Sequence, residues 1–457
     1  MLQAKDKFFD VAVIGGGPSG MMAAIRASES GAKVALLEKN SVLGRKLLLT
    51  GKGRSNITRA EFNPKELAKR YGREGDFLLY PLSVFGVKET LKFFEEYGLK
   101  TKIERGKRIF PQSDKARDVL NVLIQSLKKN NVLILTKAEV GEIFIRGNKN
   151  KITKLFLKDG REIKAKNYII CTGGKSEPQT GSTGDGYKWL QKLGHTIIKP
   201  RPALVPINIK EDWPKEAQGL SLKNVELFVF QNNKNLAFGE NLVSRYTRIK
   251  NLPTLNRQNL VSRFARNKKV GSRFGELLFT HFGISGPIVL DLSGKVGELL
   301  EKGGISLSLD LKPALSFEKL DKRLQSDFAK QSNKMFKNSL ADLLPSKLIP
   351  VIVKLSGINQ MKKVNEITKE ERNKLVKLLK NLEMTVNSLL SFETAIITLG
   401  GVSLKEIDAK TMKSKLVDNL FLAGEIINLH GPTGGYNLQL CWSTGHLAGQ
   451  SSASSLY

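Results

Sequence analysis

A short apolar segment that runs directly into a glycine-rich turn constrains the fold of this chain more than any other feature. Residues 11–14 are long enough for one buried parallel strand, and residues 15–20 form a G-x-G-x-x-G pattern at the start of a helix. A second apolar segment, residues 34–37, ends in Glu38. Strand, glycine turn, helix, strand and terminal acid are typical of a dinucleotide-binding β-α-β unit.

Each position of this motif has a predicted role in holding a dinucleotide. Gly15 allows the tight turn, Gly17 lets the backbone approach a pyrophosphate, and Gly20 lets the helix pack closely against the strand. The free N–H groups at the start of the helix attract phosphate. Glu38 is spaced to hydrogen-bond the hydroxyls of an adenosine ribose. The motif alone does not separate FAD from NAD.

The segments that follow favour FAD. Residues 44–56 mix glycines with four cations, as expected of a loop around a diphosphate and a flavin. After helices predicted at 88–98 and 115–130, residues 132–165 predict four short strands, and a fifth at 168–171 runs into Thr172 and Gly173. This layout is typical of flavoproteins with two dinucleotide folds.

A second nucleotide fingerprint is not expected in this chain. Residues 180–186 are rich in glycine, but they follow no predicted strand, and we interpret them as the cap of a helix over 187–193. No other G-x-G-x-x-G occurs between a strand and a helix. We therefore expect NAD(P)H to be a transient reductant, without a permanent domain of its own.

The end of the chain is predicted to complete the site that opens at Gly15. A short strand at 420–423 ends in Gly424 and Glu425, which can bind ribityl hydroxyls, and a helix beginning near Gly434 can stabilise the anionic edge of a reduced flavin. The predicted FAD contacts are Gly15, Gly17, Ser19, Gly20, Glu38, Lys39, Arg45, Lys46, Thr172, Gly173, Gly424, Glu425, Gly434, Gly435, Asn437 and Leu438.

The predicted fold is α/β, with a two-dinucleotide-binding, Rossmann-like FAD domain interrupted by insertions. Prolines and a change to alternating apolar residues begin a β-rich domain at 199–315, and Lys-rich helical periodicity indicates a small helical domain at 316–385. The FAD domain then occupies 1–198 and resumes at 386–457.

The charge of the chain indicates a polyanionic partner. Its 74 Lys and Arg against 43 Asp and Glu give a formal net charge of +31, which favours nucleic acid or another polyanion. Residues 241–275 contain nine cations and no acid, with aromatic residues between them. The predicted RNA contacts are Arg245, Arg248, Lys250, Arg257, Arg263, Arg266, Lys268, Lys269 and Arg273.

Cysteine usage and hydropathy bound the setting. Cys171 and Cys441 are the only cysteines and form no C-x-x-C, which disfavours a disulfide framework, a zinc site and a redox dithiol. The stretch before the glycine turn is too short for a signal peptide, and no apolar run approaches the ~20 residues that span a bilayer. We expect a cytoplasmic protein without a membrane anchor.

Six segments of the chain are GGGPSG, GRKLLLTGKGRSN, CTGGKSEPQTGSTGDGY, LVPI, FTHFGISGP and AGEIINLHGPTGGYNLQ. Through these segments the chain resembles the HI0933-like (YhiN-like) flavoprotein family over nearly its whole length. Two departures stand out: Ser55 replaces a cysteine common in the family, and His430 replaces an Asp. The resemblance implies a discontinuous FAD domain with an inserted β-barrel-like domain and a helical one.

The activities that this resemblance implies are mixed. The family includes a reductase that forms dihydrouridine in large-subunit ribosomal RNA, amine oxidases acting on aminoacetone, and proteins of bile-acid double-bond reduction. Because +31 favours an RNA substrate, we predict transfer of a hydride from NAD(P)H through FAD to C6 of uracil. His281 is the first candidate to protonate C5, followed by His430 and Tyr436.

Two other functions remain open. One is a small-molecule oxidase of the aminoacetone type, in which reduced flavin returns its electrons to oxygen. The other is a flavin-bearing RNA-binding protein without turnover.

Overall fold

The computed structural model describes residues 8–145, 150–232 and 268–456. The chain divides into two compact units. The first comprises the described residues up to Pro202 and from Phe392 onward, and the second is Ala203–Ser391. The first unit is therefore discontinuous in sequence, and the second is inserted into it.

A parallel sheet forms the centre of the first unit. Its strand order is β6-β2-β1-β9, and β18 pairs with the end of β9. Within β1, Val11 to Ile14 are buried on both faces, as the continuous apolar run predicts. These strands are β1 (Phe8–Ile14), β2 (Val34–Leu37), β6 (Leu133–Leu135), β9 (Glu162–Ile170) and β18 (Leu420–Leu422).

An antiparallel meander extends the sheet beyond β9. Strands β7 (Val140–Ile145) and β8 (Ile152–Leu157) pair with each other, and β8 pairs with the start of β9. The prediction of two separate strands at 162–165 and 168–171 was wrong, because the structure has one continuous strand there, β9. The polar residue Asn167 is accommodated inside β9, since its amide donates to the Ser452 carbonyl at 2.7 Å.

Helices cover the sheet, and two of them approach each other closely. Gly445 and Gly449 of α12 face α1, where an added Cβ would lie 2.4 Å from the Ser19 carbonyl oxygen and 2.3 Å from that of Ala23. The small residues of α12 therefore let the two backbones pack. The helices of this unit are α1 (Pro18–Glu29), α2 (Pro64–Ala68), α3 (Leu79–Val84), α4 (Val87–Glu96), α5 (Ala116–Lys129), α6 (Asp185–Lys192) and α12 (Tyr436–Ser454).

Two small sheets complete the first unit. The order β3-β5-β4 is antiparallel, and β10 pairs with β17. Their strands are β3 (Thr58–Arg59), β4 (Thr101–Glu104), β5 (Arg108–Pro111), β10 (Ile197–Ala203) and β17 (Ile397–Val402).

The second unit is built on a closed, six-stranded antiparallel barrel. Its order is β11-β14-β13-β12-β15-β16, with β16 pairing back to β11. Alternate residues Val225, Leu227 and Val229 of β12 are buried, as period-2 alternation predicts. The strands are β11 (Ile207–Ile209), β12 (Ser221–Gln231), β13 (Lys268–Thr280), β14 (Gly283–Ser285), β15 (Ile305–Asp310) and β16 (Leu382–Leu389).

Five α-helices lie among the described residues of the second unit. The helices after β15 share one hydrophobic core with the barrel, in which Leu324, Ile352 and Leu375 lie together with Leu307. The chain forms the last barrel strand, β16, only after these helices. The helices are α7 (Trp213–Glu216), α8 (Pro287–Leu300), α9 (Phe317–Lys330), α10 (Ile349–Ser356) and α11 (Lys369–Lys380). Within the described ranges, no helix is both long and apolar enough to cross a bilayer.

Candidate functional site

A groove opens at the carboxyl ends of β1 and β9 in the first unit, where parallel sheets commonly bind nucleotides. The glycine turn after β1 forms one wall, and Thr172 and Gly173, which follow β9, form another. Most of the remaining lining comes from the segment after β2, the start of β7, a loop at 180–185 and Glu425, and Trp189 and Cys441 add to it. The sequence motif and the chain's final block therefore meet at one place.

The glycine turn has the geometry that close packing requires. Gly15 has φ +107°, and a Cβ there would lie 2.5 Å from the Cys171 carbonyl oxygen. At Gly20 a Cβ would lie 1.8 Å from the Gly15 oxygen. A Cβ at Gly17, in contrast, would meet nothing within 4 Å. Gly15 and Gly20 are thus required by the protein backbone, whereas Gly17 leaves space where a ligand can approach the start of α1.

Glu38 is held in place by hydrogen bonds to its own β-α-β unit. Its Oε2 accepts from the Gly16 amide at 2.8 Å, and its Oε1 accepts from the Asn40 amide at 2.8 Å and from Asn40 Nδ2 at 2.7 Å. The carboxylate is 8% exposed. Because each oxygen can accept more than one hydrogen bond, Glu38 can still bind ribose hydroxyls.

The loop at 180–185 contacts the segment after Glu38. Asn40 Nδ2 donates to the Thr180 carbonyl at 3.0 Å, and Lys39 Nζ donates to Asp185 at 2.9 Å and to Thr183 at 2.5 Å. The loop does precede α6, as the sequence predicts, but it also lines the groove. The sequence reasoning did not include Asn40 or this loop among the residues of the groove. For the loop, the glycines and threonines at 180–184 were a signal that could have indicated a ligand-binding turn.

A buried polar cluster surrounds Glu425. Lys46 Nζ donates to Glu425 Oε2 at 2.7 Å and to Ser176 Oγ at 2.6 Å. Glu425 Oε1 accepts from the Thr398 amide at 2.6 Å and from Ser176 Oγ at 3.0 Å. The Lys46–Glu425 pair lines the groove with side chains only about one-fifth exposed. It joins the loop at 44–56 to the end of β18.

The start of α12 depends on glycine and on Asn437. Gly435 caps the helix with φ +97°, and a Cβ there would lie 2.5 Å from the backbone of Thr58. Asn437 Oδ1 accepts from the Gly431 amide at 2.8 Å, and its Nδ2 donates to the Gly431 oxygen at 2.9 Å. Asn437 thus shapes the loop before the helix, whose amino end carries a positive partial charge.

These residues fit a bound dinucleotide. The open space at Gly17, the preorganised Glu38 and the cationic loop match a pyrophosphate and a ribose. In addition, Thr172 lines the groove, and its Oγ1 is buried with no hydrogen-bond partner among the described residues. A buried hydroxyl of this kind is accounted for when a ligand supplies its partner.

Comparison with known proteins gives the family. The pattern of the HI0933-like protein Rossmann domain matches residues 9–451. The chain belongs to the HI0933-like family. This HI0933-like protein is therefore an FAD-dependent oxidoreductase, and the family resemblance stated from the motifs is confirmed.

Three curated relatives align over nearly their whole length with this HI0933-like chain. A 3-dehydro-bile acid Δ(4,6)-reductase of Clostridium scindens is 31% identical, covering 97% of this chain and 98% of the relative. A ribosomal RNA dihydrouridine synthase of Haemophilus influenzae is 28% identical, covering 95% and 96%. The Escherichia coli protein of the same name is 26% identical, with the same coverage.

The structure brings most of the predicted FAD contacts of this HI0933-like protein to the groove. The other predicted contacts do not line the groove. Gly20 packs against the backbone of Gly15, and Gly424 adjoins Ser19. The remaining four lie at the start of α12. The four at the start of α12 are Gly434, Gly435, Asn437 and Leu438. The predicted contacts that line the groove are Gly15, Gly17, Ser19, Glu38, Lys39, Arg45, Lys46, Thr172, Gly173 and Glu425.

The three candidate proton donors have different surroundings. His281 is exposed in the turn between β13 and β14 of the second unit. His430 precedes α12 in the first unit, and burial lowers its pKa below the usual range. Tyr436 begins α12 and is only 3% exposed, with its ring edge-on to Tyr71 at 5.9 Å between centroids. His430 is therefore neutral at neutral pH.

The predicted RNA-binding segment is partly described. Lys268, Lys269 and Arg273 lie on β13, and the ammonium group of Lys269 lies 4.3 Å from the centroid of the Phe228 ring. Such a pair of cation and aromatic ring is common on surfaces that bind nucleic acid. The remaining predicted contacts lie outside the described residues: Arg245, Arg248, Lys250, Arg257, Arg263 and Arg266.

Proposed function

We propose that this protein reduces a uridine of large-subunit ribosomal RNA to dihydrouridine, with NAD(P)H as the reductant. When bound, FAD supplies the hydride chemistry, accepting a hydride from NAD(P)H and delivering it to C6 of the uracil ring. The chain's own tasks are to hold the cofactor, to keep water from the reacting atoms and to provide a proton for C5.

The observation that carries this proposal is the net charge of +31 on a flavoenzyme. A small neutral substrate gains nothing from such a field, whereas RNA gains affinity because each neutralised phosphate releases counterions. Two relatives that align over nearly the whole chain are named ribosomal RNA dihydrouridine synthases, which supports the same substrate class. A target uridine has to leave its stack to reach a flavin.

The cofactor-binding role falls to residues of the groove in this proposal. Glu38 holds the ribose of the ADP half, and the open backbone at Gly17 receives the pyrophosphate. Lys46 and Glu425, already paired at 2.7 Å, hold the ribityl and flavin side. The positive end of α12 lies at the end of the loop that contains Gly434 and would supply positive partial charge to a flavin bound beside it.

The proton for C5 comes from one of three side chains in this proposal. His281 is tested first because its imidazole is exposed. Because burial lowers the pKa of His430, a route through His430 requires a form that is scarce at neutral pH. If His430 is the donor, the rate rises as the pH falls toward its lowered pKa, and His430→Gln removes that rise.

Purified protein tests this function directly. FAD-loaded enzyme is incubated with NADPH or NADH and with large-subunit rRNA lacking the modification, and digested RNA is analysed by mass spectrometry. We expect a uridine to gain two hydrogens. The proton donor is identified by the variant that loses turnover but keeps FAD, among His281→Gln, His430→Gln and Tyr436→Phe. Oxidation of NAD(P)H without any dihydrouridine would contradict the proposal.

A small-molecule reductase is the second candidate. The relative with 31% identity is named a 3-dehydro-bile acid Δ(4,6)-reductase, a name that describes reduction of ring double bonds. Turnover of an unsaturated ring ketone that is indifferent to salt, with no effect on RNA, would favour this function. Rapid oxidation of aminoacetone with release of peroxide would instead favour an amine oxidase.

A further inference from the structure

The small sheet β3-β5-β4 of the first unit carries an excess of arginine. Residues 54–61 and 101–114 contain six cations and three acids. All three acids have cationic partners within this sheet and its flanks. Glu61 pairs with Lys107 at 3.2 Å, Glu104 pairs with Arg54, and Asp114 pairs with Lys102 at 2.6 Å.

Three arginines remain after these pairs are counted, and we call them the arginine face: Arg59, Arg105 and Arg108. In the described part of the chain, no carboxylate lies within ion-pair distance of their guanidinium groups. Arg59 lies directly opposite Arg108 in the antiparallel register of β3 and β5, and Glu104, opposite Arg108 on β4, is paired with Arg54. Two like charges at such a position repel each other, so this arrangement favours a bound anion.

Aromatic rings support the guanidinium groups. Arg59 lies 5.2 Å from the centroid of the Tyr436 ring, and Arg108 lies 5.9 Å from that of Phe110. Arg54 also lies over the Phe110 ring, 4.1 Å from its centroid, but its guanidinium group is paired with Glu104 and Asp114. Guanidinium planes beside aromatic rings are suited to stacking on bases and to bidentate contact with phosphate.

The arginine face adjoins the start of α12, which the proposed function places beside the flavin. A Cβ added at Gly434 would lie 3.2 Å from Arg59 Nη1, and Gly434 immediately precedes the cap of α12. Arg59 is half-buried, whereas Arg105 and Arg108 are exposed on the hairpin that follows. The face thus leads outward from the start of α12.

We propose that the arginine face binds the phosphates of single-stranded RNA next to the reacting uridine. Arg59 contacts the nucleotide nearest the start of α12, and Arg105 and Arg108 contact the backbone further out. A single strand is favoured over a duplex because the aromatic-backed guanidinium groups offer planes for unstacked bases. This inference rests on the proposed function and names a contact surface that is separate from strand β13.

The test measures RNA affinity of the full, FAD-loaded protein. Binding of a short fluorescein-labelled oligouridine is followed by anisotropy across a salt titration for wild type, Arg59→Gln, Arg108→Gln and the control Lys107→Gln. Lys107 lies on the same hairpin but is paired with Glu61. We expect each arginine variant to bind about 3- to 10-fold more weakly and to lose about 0.7 from the salt slope, and the control to match wild type.

Several results would overturn the inference. If both arginine variants keep the wild-type salt slope, the face does not hold RNA. If they lose only retention by phosphatidylglycerol vesicles, with oligouridine affinity unchanged, the face binds a membrane surface. Because Arg59 contacts Tyr436, FAD content is checked by absorbance, and the exposed Arg108 provides a variant that does not depend on that contact.

Dihydrouridine formation, measured in parallel, separates this inference from the proposed function. If wild type forms dihydrouridine and both arginine variants bind RNA as the control does, the inference about the arginine face is wrong and the proposed function stands. If wild type forms no dihydrouridine but RNA binding depends on the arginines, the proposed function is wrong and the arginine face is an RNA-binding surface.

Discussion

At the scale of single residues, we propose that Glu38 retains the cofactor. The carboxylate accepts from Gly16 and Asn40, so Glu38→Gln both weakens the turn and removes the charged acceptor for the ribose. We expect FAD affinity to fall by about 1.5–3 kcal/mol, the usual worth of a hydrogen bond to a charged group. Flavin absorbance after gel filtration measures the loss, and Glu96→Gln, on the exposed side of α4, serves as control.

Another residue, His446, makes the folded state sensitive to acid. Burial lowers its pKa to about 3, and its ring stacks on Phe85 at 4.3 Å between centroids. As the pH falls below about 6.5, the unfolded chain takes up this proton and the folded chain does not. The free energy of unfolding therefore falls, by at most about 1.4 kcal/mol per pH unit.

Urea unfolding at neutral pH and near pH 5 tests this sensitivity. His446→Phe keeps a ring against Phe85 and cannot be protonated, so we expect a shallower dependence of stability on pH, whatever its stability at neutral pH. His281→Gln, which removes an exposed imidazole, is the control variant. An equal slope in wild type and His446→Phe would show that other groups control acid stability.

At the scale of elements, the packing of α12 on α1 depends on glycine. A Cβ at Gly445 would lie 2.4 Å from the Ser19 carbonyl oxygen, a backbone atom that cannot swing aside. We expect Gly445→Ala to lower the free energy of unfolding by about 1–3 kcal/mol, measured by urea titration at saturating FAD. Gly141→Ala is the matched control, because its nearest contact is at 3.4 Å; an equal effect of both would contradict this account.

Elements with a strong local pattern could be predicted from the sequence, and those that depend on distant packing could not. The helix predicted at 115–130 is Ala116–Lys129, since its apolar residues recur at helical spacing. The break predicted inside β9 was wrong because Asn167 finds its partner on α12, far away in sequence. Likewise, Glu38 followed from motif spacing, whereas the contact of Asn40 with Thr180 needed the folded chain.

At the scale of the whole molecule, periodicity did not reveal what each segment packs against. Residues 316–385 read as a helical segment, but a helical pattern does not say which surface its apolar face covers. In the structure these helices share a core with the barrel, and β16 follows them to close it. Closure of a barrel by a distant strand is a long-range pairing that no local signal specifies.

The net charge belongs to this scale as well, and in the proposed function it gives RNA binding a strong dependence on salt. We expect replacement of the three β13 cations, Lys268, Lys269 and Arg273, by Gln to lower the salt slope by up to about 2. Anisotropy of labelled rRNA fragments measures the slope. The control variant replaces three ion-paired lysines of the same unit by Gln: Lys295, Lys302 and Lys354. If the triple variant and this control have the same salt slope, β13 is not part of the RNA surface.

The most direct test of the central claim is mass spectrometry of large-subunit rRNA from cells with and without this gene. We predict that one uridine is two hydrogens lighter in the deletion strain, and that the wild-type gene restores the dihydrouridine while Glu38→Gln, deficient in FAD, does not. Identical rRNA in both strains would contradict the account and would make reduction of a small unsaturated ring compound the function to test next.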